Sequence, residues 1–315
     1  MAEKMTRNTK DIIQIENLKK HYGKVRAVDG VSLCVRKGEI YGFLGLNGAG
    51  KTTTIRMLLG MVRPTSGSCY LNGKKIHSGV QDLWNNVGYL VEIPYSYPDL
   101  TVHENLEIIK RMRFISNPRA VDSIVETFRL GPYQDVLAKN LSHGNKQRLG
   151  LAKAMIHNPD ILILDEPANG LDPAGIVEIR ELLRDLAFNK GVTIFISSHI
   201  LGEISKLATR IGIIHQGHLV KEITAHQVDN FLQKKLIIGA RDNKAVQKRL
   251  SDEGYAANLN DKGDLEIKDK EAINHPENIV RMLVYSNLPL TLVKVEEENL
   301  ETYFLRIIKK DGYVK

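Results

Sequence analysis

A glycine-rich turn early in the chain constrains the fold more than any other feature. The residues Gly45-Leu46-Asn47-Gly48-Ala49-Gly50-Lys51-Thr52 match the pattern G-x-x-x-x-G-K-[ST]. The turn follows the apolar run 39–44 and precedes the amphipathic segment 54–62, so we predict strand, loop and helix in that order. The glycines let backbone N–H groups point at a polyphosphate, and the start of the helix adds a positive dipole.

Two side chains of this turn have a predicted role in binding a nucleotide. Lys51 can reach the β- and γ-phosphates, and the Thr52 hydroxyl can ligate Mg²⁺. We include Thr53, the next residue, in the same site. The alternative is a chance match in a glycine turn, and the predicted strand and helix on either side argue against it.

A second predicted strand ends in two carboxylates. The run Ile161-Leu-Ile-Leu-Asp165-Glu166-Pro167 is apolar up to Asp165. We expect Asp165 to hold Mg²⁺, and Glu166, which points elsewhere, to polarise an attacking water as general base. A carboxylate pair in this position is also a common helix cap. Its occurrence downstream of a phosphate-binding loop favours the catalytic interpretation.

The alternation of strands and helices predicts an α/β fold with a parallel sheet, and the glycine-rich motif indicates the P-loop NTPase class. A mainly helical stretch interrupts this alternation, and we place an inserted helical subdomain at about 93–151. The pattern changes again after about residue 220. We therefore divide the chain into a nucleotide-binding domain, 11–222, and a small C-terminal lobe, 223–315, whose βαββαβ pattern predicts a ferredoxin-like arrangement.

The net charge of +7 raises the question of nucleic-acid binding. The basic excess lies in the first two thirds of the chain, but it is scattered as single residues and pairs without interleaved aromatic residues. We expect no nucleic-acid partner, since an anionic ligand or membrane surface would use the same charge. No signal peptide or membrane-spanning segment is visible in the sequence.

A third motif indicates which group of P-loop proteins the chain resembles. The segment Leu141-Ser142-His143-Gly144-Asn145-Lys-Gln-Arg is similar to the LSGGQ signature of ABC-type ATPases, with His143 and Asn145 as departures. A Ser-x-Gly at a helix start offers a hydroxyl, N–H groups and a dipole to a γ-phosphate. Ser142 alone would equally be a simple N-cap.

With these motifs, the chain resembles the ABC nucleotide-binding domain over about residues 11–220. The resemblance implies that Tyr22 stacks on adenine, that Asp172 of the D-loop contacts the opposing subunit, and that His199 senses the γ-phosphate. It also implies that ATP and Mg²⁺ are the cofactors.

Glu92 departs from the family pattern. It stands where the family normally has a glutamine that links the metal and the attacking water to the membrane partner. Glutamate is a stronger ligand for a hard cation, so we assign Glu92 to both the metal and the catalytic set. A tolerated isostere is the alternative. This substitution and the atypical signature are similar to those of bacitracin and lantibiotic self-protection exporters.

The resemblance implies a head-to-tail dimer, in which Ser142 and Gly144 of one copy contact the ATP bound at Lys51 of the other. The expected function is the ATP-hydrolysing subunit of an exporter for a peptide antibiotic or amphiphile. Its expected partners are a second copy and a separate membrane permease, which would hold it at the cytoplasmic face of the membrane. An importer subunit and a soluble ATPase acting on ribosomes or nucleic acid are the alternatives. We assign no catalytic residue to the C-terminal lobe.

Overall fold

The computed structural model describes residues 11–77, 82–91 and 95–310. Within these ranges the chain forms two compact units, and each is described by itself. The described part of the first unit runs from residue 11 to His226, and the second unit is Gln227–Lys310. The boundary of the units therefore lies a few residues after the predicted one.

Two sheets form the framework of the first unit. Their strands are β1 (Asp11–Tyr22), β2 (Val25–Arg36), β3 (Ile40–Leu44), β4 (Ser66–Leu71), β5 (Lys74–Lys75), β6 (Val87–Leu90), β7 (Ile161–Asp165), β8 (Thr193–Ser198), β9 (Arg210–His215) and β10 (His218–Thr224). The central sheet has the order β10-β9-β3-β8-β7-β6, and all neighbours are parallel except β9 and β10. Every residue of β3 and β7 is buried, as expected for strands covered on both faces.

Helices connect the parallel strands. They are α1 (Lys51–Leu58), α2 (Val102–Met112), α3 (Ala120–Thr127), α4 (His143–Met155), α5 (Pro173–Phe188) and α6 (Leu201–Leu207), with short 3₁₀ turns at Asp82–Asn86, Gly131–Tyr133, Ala138–Asn140 and Ala225–Gln227. The glycine-rich loop joins β3 to α1, and α5 follows β7. The carboxyl ends of β3, β7 and β8 thus meet at one edge of the sheet, where ligands bind in open α/β sheets.

The second sheet differs from the sequence prediction. Its order is β2-β1-β4-β5 with antiparallel pairing. The alternating apolar residues within 12–35 predict short strands, whereas β1 and β2 are each 12 residues long. Polar residues interrupt the apolar alternation of both strands. The structure accommodates the interruptions with register shifts and with positive φ angles at Asn17 (45°) and Gly30 (88°). The sequence prediction also lacked β4.

Helices α2, α3 and α4 lie between β6 and β7 in sequence, although these two strands are neighbours in the sheet. The buried side-chain amide of Asn105 holds the loop that leads into this helical insertion. Asn105 Oδ1 accepts the Tyr97 N–H at 2.8 Å, and Asn105 Nδ2 donates to the carbonyls of Tyr97, Leu100 and Thr101 at 3.1, 3.2 and 2.9 Å. The side chain therefore stabilises the loop that precedes α2.

The second unit has its own sheet and core. Its elements are α7 (Val228–Phe231), β11 (Lys234–Ala240), α8 (Asn243–Asp252), β12 (Ala257–Leu259), β13 (Leu265–Ile267), α9 (Lys270–Asn274), α10 (Pro276–Tyr285), β14 (Leu290–Glu297) and α11 (Leu300–Lys310). The sheet order is β12-β13-β11-β14, and all pairs are antiparallel. Leu236, Ile238, Leu250 and Leu283 belong to its core.

An ion pair stabilises the end of the second unit. Arg306 makes two hydrogen bonds to Glu298, Nε to Oε1 at 2.9 Å and Nη2 to Oε2 at 2.7 Å. These hydrogen bonds hold the pKa of the Glu298 carboxyl below its ordinary value. The pair fixes α11 against the end of β14.

Replacing Asn105 should destabilise the protein. Asn105 is fully buried, and Asn105→Ala leaves the backbone groups of the 97–101 loop without partners, which costs about 2–4 kcal/mol. Urea unfolding followed by circular dichroism measures the loss. Glu104→Ala removes only the exposed hydrogen bond from the Thr101 N–H to the Glu104 carboxylate, so it serves as the control and should have a clearly smaller effect. Equal losses of stability in the two variants would contradict the conclusion that Asn105 stabilises the 97–101 loop.

Candidate active site

The backbone of the glycine-rich loop is held in a conformation that side chains would prevent. Gly50 has a φ of 108°, and a Cβ there would lie 2.4 Å from the Ala27 carbonyl oxygen. A Cβ on Gly45 would lie 2.6 Å from the Ile214 carbonyl oxygen. Gly48 also has a positive φ, 79°, but open space surrounds it. The loop therefore packs tightly against β2 and β9 at its two ends, and Leu46, Asn47 and Gly48 are exposed between them.

Lys51, the first residue of α1, is 5% exposed. Its Nζ donates to the carbonyls of Gly45 at 2.8 Å and Leu46 at 3.2 Å, and lies 3.0 Å from Glu166 Oε1. A buried ammonium needs such partners, since desolvation without them is costly. The loop thus curls around its own lysine.

Asp165 lies at the end of β7 and is hydrogen-bonded on both carboxylate oxygens. Thr52 Oγ1 donates to Oδ2 at 2.7 Å, and Ser197 Oγ donates to Oδ1 at 2.5 Å. Asp165 and Ser197 are paired across the parallel strands β7 and β8. The hydroxyl of α1 and the carboxylate of β7 therefore meet although they are far apart in sequence.

Glu166 turns away from Asp165 because its backbone is in the left-handed region, with a φ of 48°. Its N–H donates to Ser197 Oγ at 3.0 Å. One carboxylate oxygen faces Lys51, and the other lies 2.9 Å from His199 Nδ1. Lys51, Glu166 and His199 thus form one connected polar group at the edge of the sheet, and Thr53 lies beside it in the first turn of α1.

The signature residues lie in a second group. Ser142 caps α4, and its Oγ accepts the Asn145 N–H at 3.3 Å, as the N-cap alternative expects. Gly144 lies in the first turn of α4, where a Cβ would be 3.9 Å from the Leu171 side chain. Asp172 caps α5 and accepts the Gly175 N–H at 3.0 Å. The structure therefore brings the signature next to the D-loop, and the described contacts of Ser142 are with its own helix.

Two predicted residues stand apart from both groups. Tyr22 ends β1, is half-exposed, and has Lys20 Nζ 4.9 Å from its ring centroid. It is near the hairpin between β1 and β2, and β2 in turn touches the glycine-rich loop through Ala27. Glu92 lies outside the described residues.

Ser197, which the sequence patterns did not identify, donates a hydrogen bond to the Asp165 carboxylate and accepts one from the Glu166 N–H. The pair Ser197-Ser198 directly before His199 was the available signal. Serine at a buried strand end is too common to identify this role, which depends on the pairing of β7 with β8.

The oxygen groups at the site suit a hard cation. Thr52 and Asp165 place a hydroxyl and a carboxylate 2.7 Å apart beside the lysine loop. Mg²⁺ is typically held by one or two protein oxygens together with phosphates and waters. No cluster of three or more His, Cys, Asp or Glu side chains suited to a metal is found in the described ranges.

Comparison with known proteins identifies the class. A family model for ABC transporters matches residues 28–169, which include the glycine-rich loop, the signature and both carboxylates. The fold is also similar to a solved ATP-binding cassette in a dimeric, post-hydrolysis state bound to ADP and phosphate, with a TM-score of 0.62 and 23% identity over 68% of this chain and 98% of that one. These findings define an ABC-type ATPase.

Two relatives place the chain more narrowly. It is 40% identical over 310 residues to the bacitracin transport ATP-binding protein BcrA of Bacillus licheniformis, covering 94% of this chain and 97% of the relative. It is 39% identical over 211 residues to the lantibiotic transport ATP-binding protein SrtF of Streptococcus pyogenes, covering 67% of this chain and 90% of the relative. The chain belongs to the ATP-binding proteins of ABC transporters, and it binds and hydrolyses ATP.

The different environments of Gly48, which is exposed, and Gly50, which is buried, lead to a matched prediction. Gly50→Ala combines a strained φ with a backbone clash, whereas Gly48→Ala has only the strained φ, which costs about 1–2 kcal/mol. Gly50→Ala should therefore lower the melting temperature more and abolish ATP binding. Differential scanning fluorimetry and titration with a fluorescent ATP analogue measure both effects. Equal melting temperatures for the two variants would refute the packing of Gly50 against β2.

Proposed function

We propose that this chain is the ATP-hydrolysing subunit of an exporter that moves a peptide antibiotic or an amphiphilic compound through a separate membrane permease. The observation that carries the proposal is the similarity to a bacitracin transport ATP-binding protein over 94% of the chain. This similarity includes the C-terminal lobe as well as the nucleotide-binding domain. We accordingly assign 11–222 to nucleotide binding and 223–315 to an accessory lobe.

The contacts of Lys51 support a role in binding the terminal phosphates of ATP. Its ammonium group faces Glu166 at 3.0 Å. A γ-phosphate is a stronger and better-placed anion for this lysine, so ATP would compete with Glu166 for it. Glu166 would then keep His199 as its partner and be free to accept a proton from the attacking water. Tyr22 would stack on the adenine ring, and residues 45–53 would surround the phosphates.

Thr52 and Asp165 would hold Mg²⁺ together with the ATP phosphates, and Glu92 would add a third ligand. Bound there, Mg²⁺ would neutralise charge on the phosphate oxygens. Ser197 keeps the Asp165 carboxylate aligned. Thr52 and Asp165 would thus offer the metal ion two oxygen atoms that are already in position.

A second copy of the chain would complete each ATP site. The hydroxyl of Ser142 and the backbone of Gly144 are exposed or half-exposed at the start of α4, where the helix dipole favours a phosphate. In a head-to-tail dimer they would contact the γ-phosphate bound at Lys51 of the other copy, and Asp172 would lie at the interface. The dimeric state of the solved cassette with this fold supports the arrangement.

A groove in the first unit suits the permease. It has a volume of about 590 Å³ and its lining includes Tyr89, Tyr95, Met112, Phe114 and Lys153. Tyr95 is 74% and Phe114 is 94% exposed, and exposed apolar groups that line one groove are typical of protein interaction sites. Lys153 Nζ donates to the Tyr95 carbonyl at 2.6 Å, and its burial lowers its pKa.

The groove is lined by Val91 and Tyr95, which come shortly before and after Glu92 in sequence. We propose that a helix of the permease bound there acts on Glu92. No helix in residues 11–77, 82–91 and 95–310 is long and apolar enough to span a membrane. We propose that the permease holds the chain at the cytoplasmic face of the membrane.

Glu166→Gln tests the catalytic assignment. Gln cannot accept the proton, so ATP turnover should fall by a factor of about 10²–10⁴, while ATP binding persists and an ATP-dependent dimer accumulates. Phosphate release, nucleotide titration and size-exclusion chromatography measure the three effects. Glu181→Gln makes the same chemical change on the exposed side of α5 and should leave all three unchanged. Full turnover of Glu166→Gln would disprove its role as general base.

The transport assignment is tested in cells. A strain that expresses the chain with its permease should tolerate more bacitracin or lantibiotic than a deletion strain, and Glu166→Gln should abolish the difference. Equal susceptibility of the two strains across a panel of peptide antibiotics would contradict the proposed substrate class.

The groove and Glu92 lead to a separate prediction. Tyr95→Asp should reduce both copurification with the permease and the permease-coupled ATPase rate, because it places a charge among apolar contacts. Glu92→Gln should change the coupled rate more than the affinity for ATP. Pull-down from membranes and nucleotide titration distinguish the two effects. Normal assembly and coupling of Tyr95→Asp would rule out the groove as the permease site.

A further inference from the structure

The atypical histidine of the signature joins two functional segments of the same chain. His143 is the first residue of α4, and its Nε2 lies 3.0 Å from the carbonyl oxygen of Asn169. Because a carbonyl can only accept, Nε2 must donate this hydrogen bond. In the LSGGQ pattern this position is glycine, which has no side chain to make such a contact.

Asn169 connects the histidine to the proposed general base. The N–H of Asn169 donates to the Glu166 carbonyl at 3.1 Å, which closes a turn over residues 166–169. The backbone N–H of Asn169 thus bonds to Glu166, and its carbonyl oxygen bonds to His143. His143 is therefore bonded directly to the last residue of the turn that begins at Glu166.

The Glu166 turn needs support from outside. Glu166 has a φ of 48°, a conformation that costs a residue with a side chain about 1–3 kcal/mol and persists only when its surroundings hold it. Its own N–H is held by Ser197 at 3.0 Å. The far end of the turn is held by His143.

The two segments also pack closely. Gly170 has a φ of 75°, and a Cβ on it would lie 3.0 Å from His143 Nε2. The Leu171 side chain lies under Gly144. His143 is an exposed residue, and its imidazole lies against Asn169 and Gly170 of the D-loop.

We propose that His143 is a positioning residue for ATP hydrolysis, which ties the start of α4 to the turn that orients Glu166. The proposal rests on the proposed function in one respect, namely that the start of α4 contacts the nucleotide bound by a second copy. In that dimer, docking of Ser142 and Gly144 at one ATP would be transmitted through His143 and Asn169 to Glu166 at the other ATP. The two sites would then hydrolyse cooperatively.

A matched pair of variants tests whether the hydrogen bond from His143 to Asn169 supports ATP hydrolysis. His143→Gln keeps an N–H donor at a similar reach, and His143→Met has nearly the same size without a donor. We expect His143→Met to lower kcat about three- to tenfold, the effect of one hydrogen bond, with the KM for ATP and the melting temperature close to those of the parent. His143→Gln should restore most of the rate.

Steady-state ATPase assays of the full chain and differential scanning fluorimetry give these values. Parental kcat in His143→Met, or an equal loss in both variants, would overturn the proposal. A fall in melting temperature that parallels the fall in kcat and is not restored by Gln would show a merely structural bond and would overturn it too.

The dependence of rate on ATP concentration separates this proposal from the proposed dimer. The parent should show a Hill coefficient above one, and His143→Met should bring it toward one. If the parent itself shows a Hill coefficient of one and Glu166→Gln forms no ATP-dependent dimer, the proposed dimer is wrong. The kcat values of His143→Gln and His143→Met would still decide whether His143 orients Glu166.

Discussion

The burial of one positive charge organises the active site. Lys51 is almost inaccessible to water, so its ammonium group must be satisfied by protein atoms, and these are the loop carbonyls of Gly45 and Leu46 and the carboxylate of Glu166. The loop can curl around the lysine only because its glycines allow a close approach to neighbouring strands. In the proposed function, the same charge would attract the phosphates of ATP.

Three strand ends converge on this lysine. The glycine-rich loop follows β3. Asp165 is the last residue of β7, and Glu166 comes directly after it. Ser197 lies near the end of β8, and His199 follows that strand. Because the three strands are parallel neighbours, their carboxyl ends lie at one edge and deliver polar side chains to a common place. The nucleotide chemistry therefore follows from the parallel sheet, whereas the helical insertion carries the surfaces proposed for the second copy and the permease.

Local sequence patterns were sufficient to predict the class of fold, which the comparisons confirm. A glycine-rich turn between a strand and a helix, and a buried strand that ends in carboxylates, are each encoded in fewer than about ten consecutive residues, the scale on which sequence patterns report structure. Residues 12–35 were predicted as short strands because polar residues break their alternation, and only register shifts in the folded sheet let β1 and β2 continue over 12 residues each.

The sequence by itself determined the phosphate-binding loop, the two carboxylates and the succession of strands and helices, because each depends on neighbouring residues. Only the tertiary structure decided the contacts made between distant segments. The bridge of Ser197 to Asp165 requires the register of β7 and β8, and the bond of His143 to Asn169 requires α4 to begin beside the loop that follows β7. Such contacts depend on how elements pack, and no pattern of adjacent residues specifies that packing.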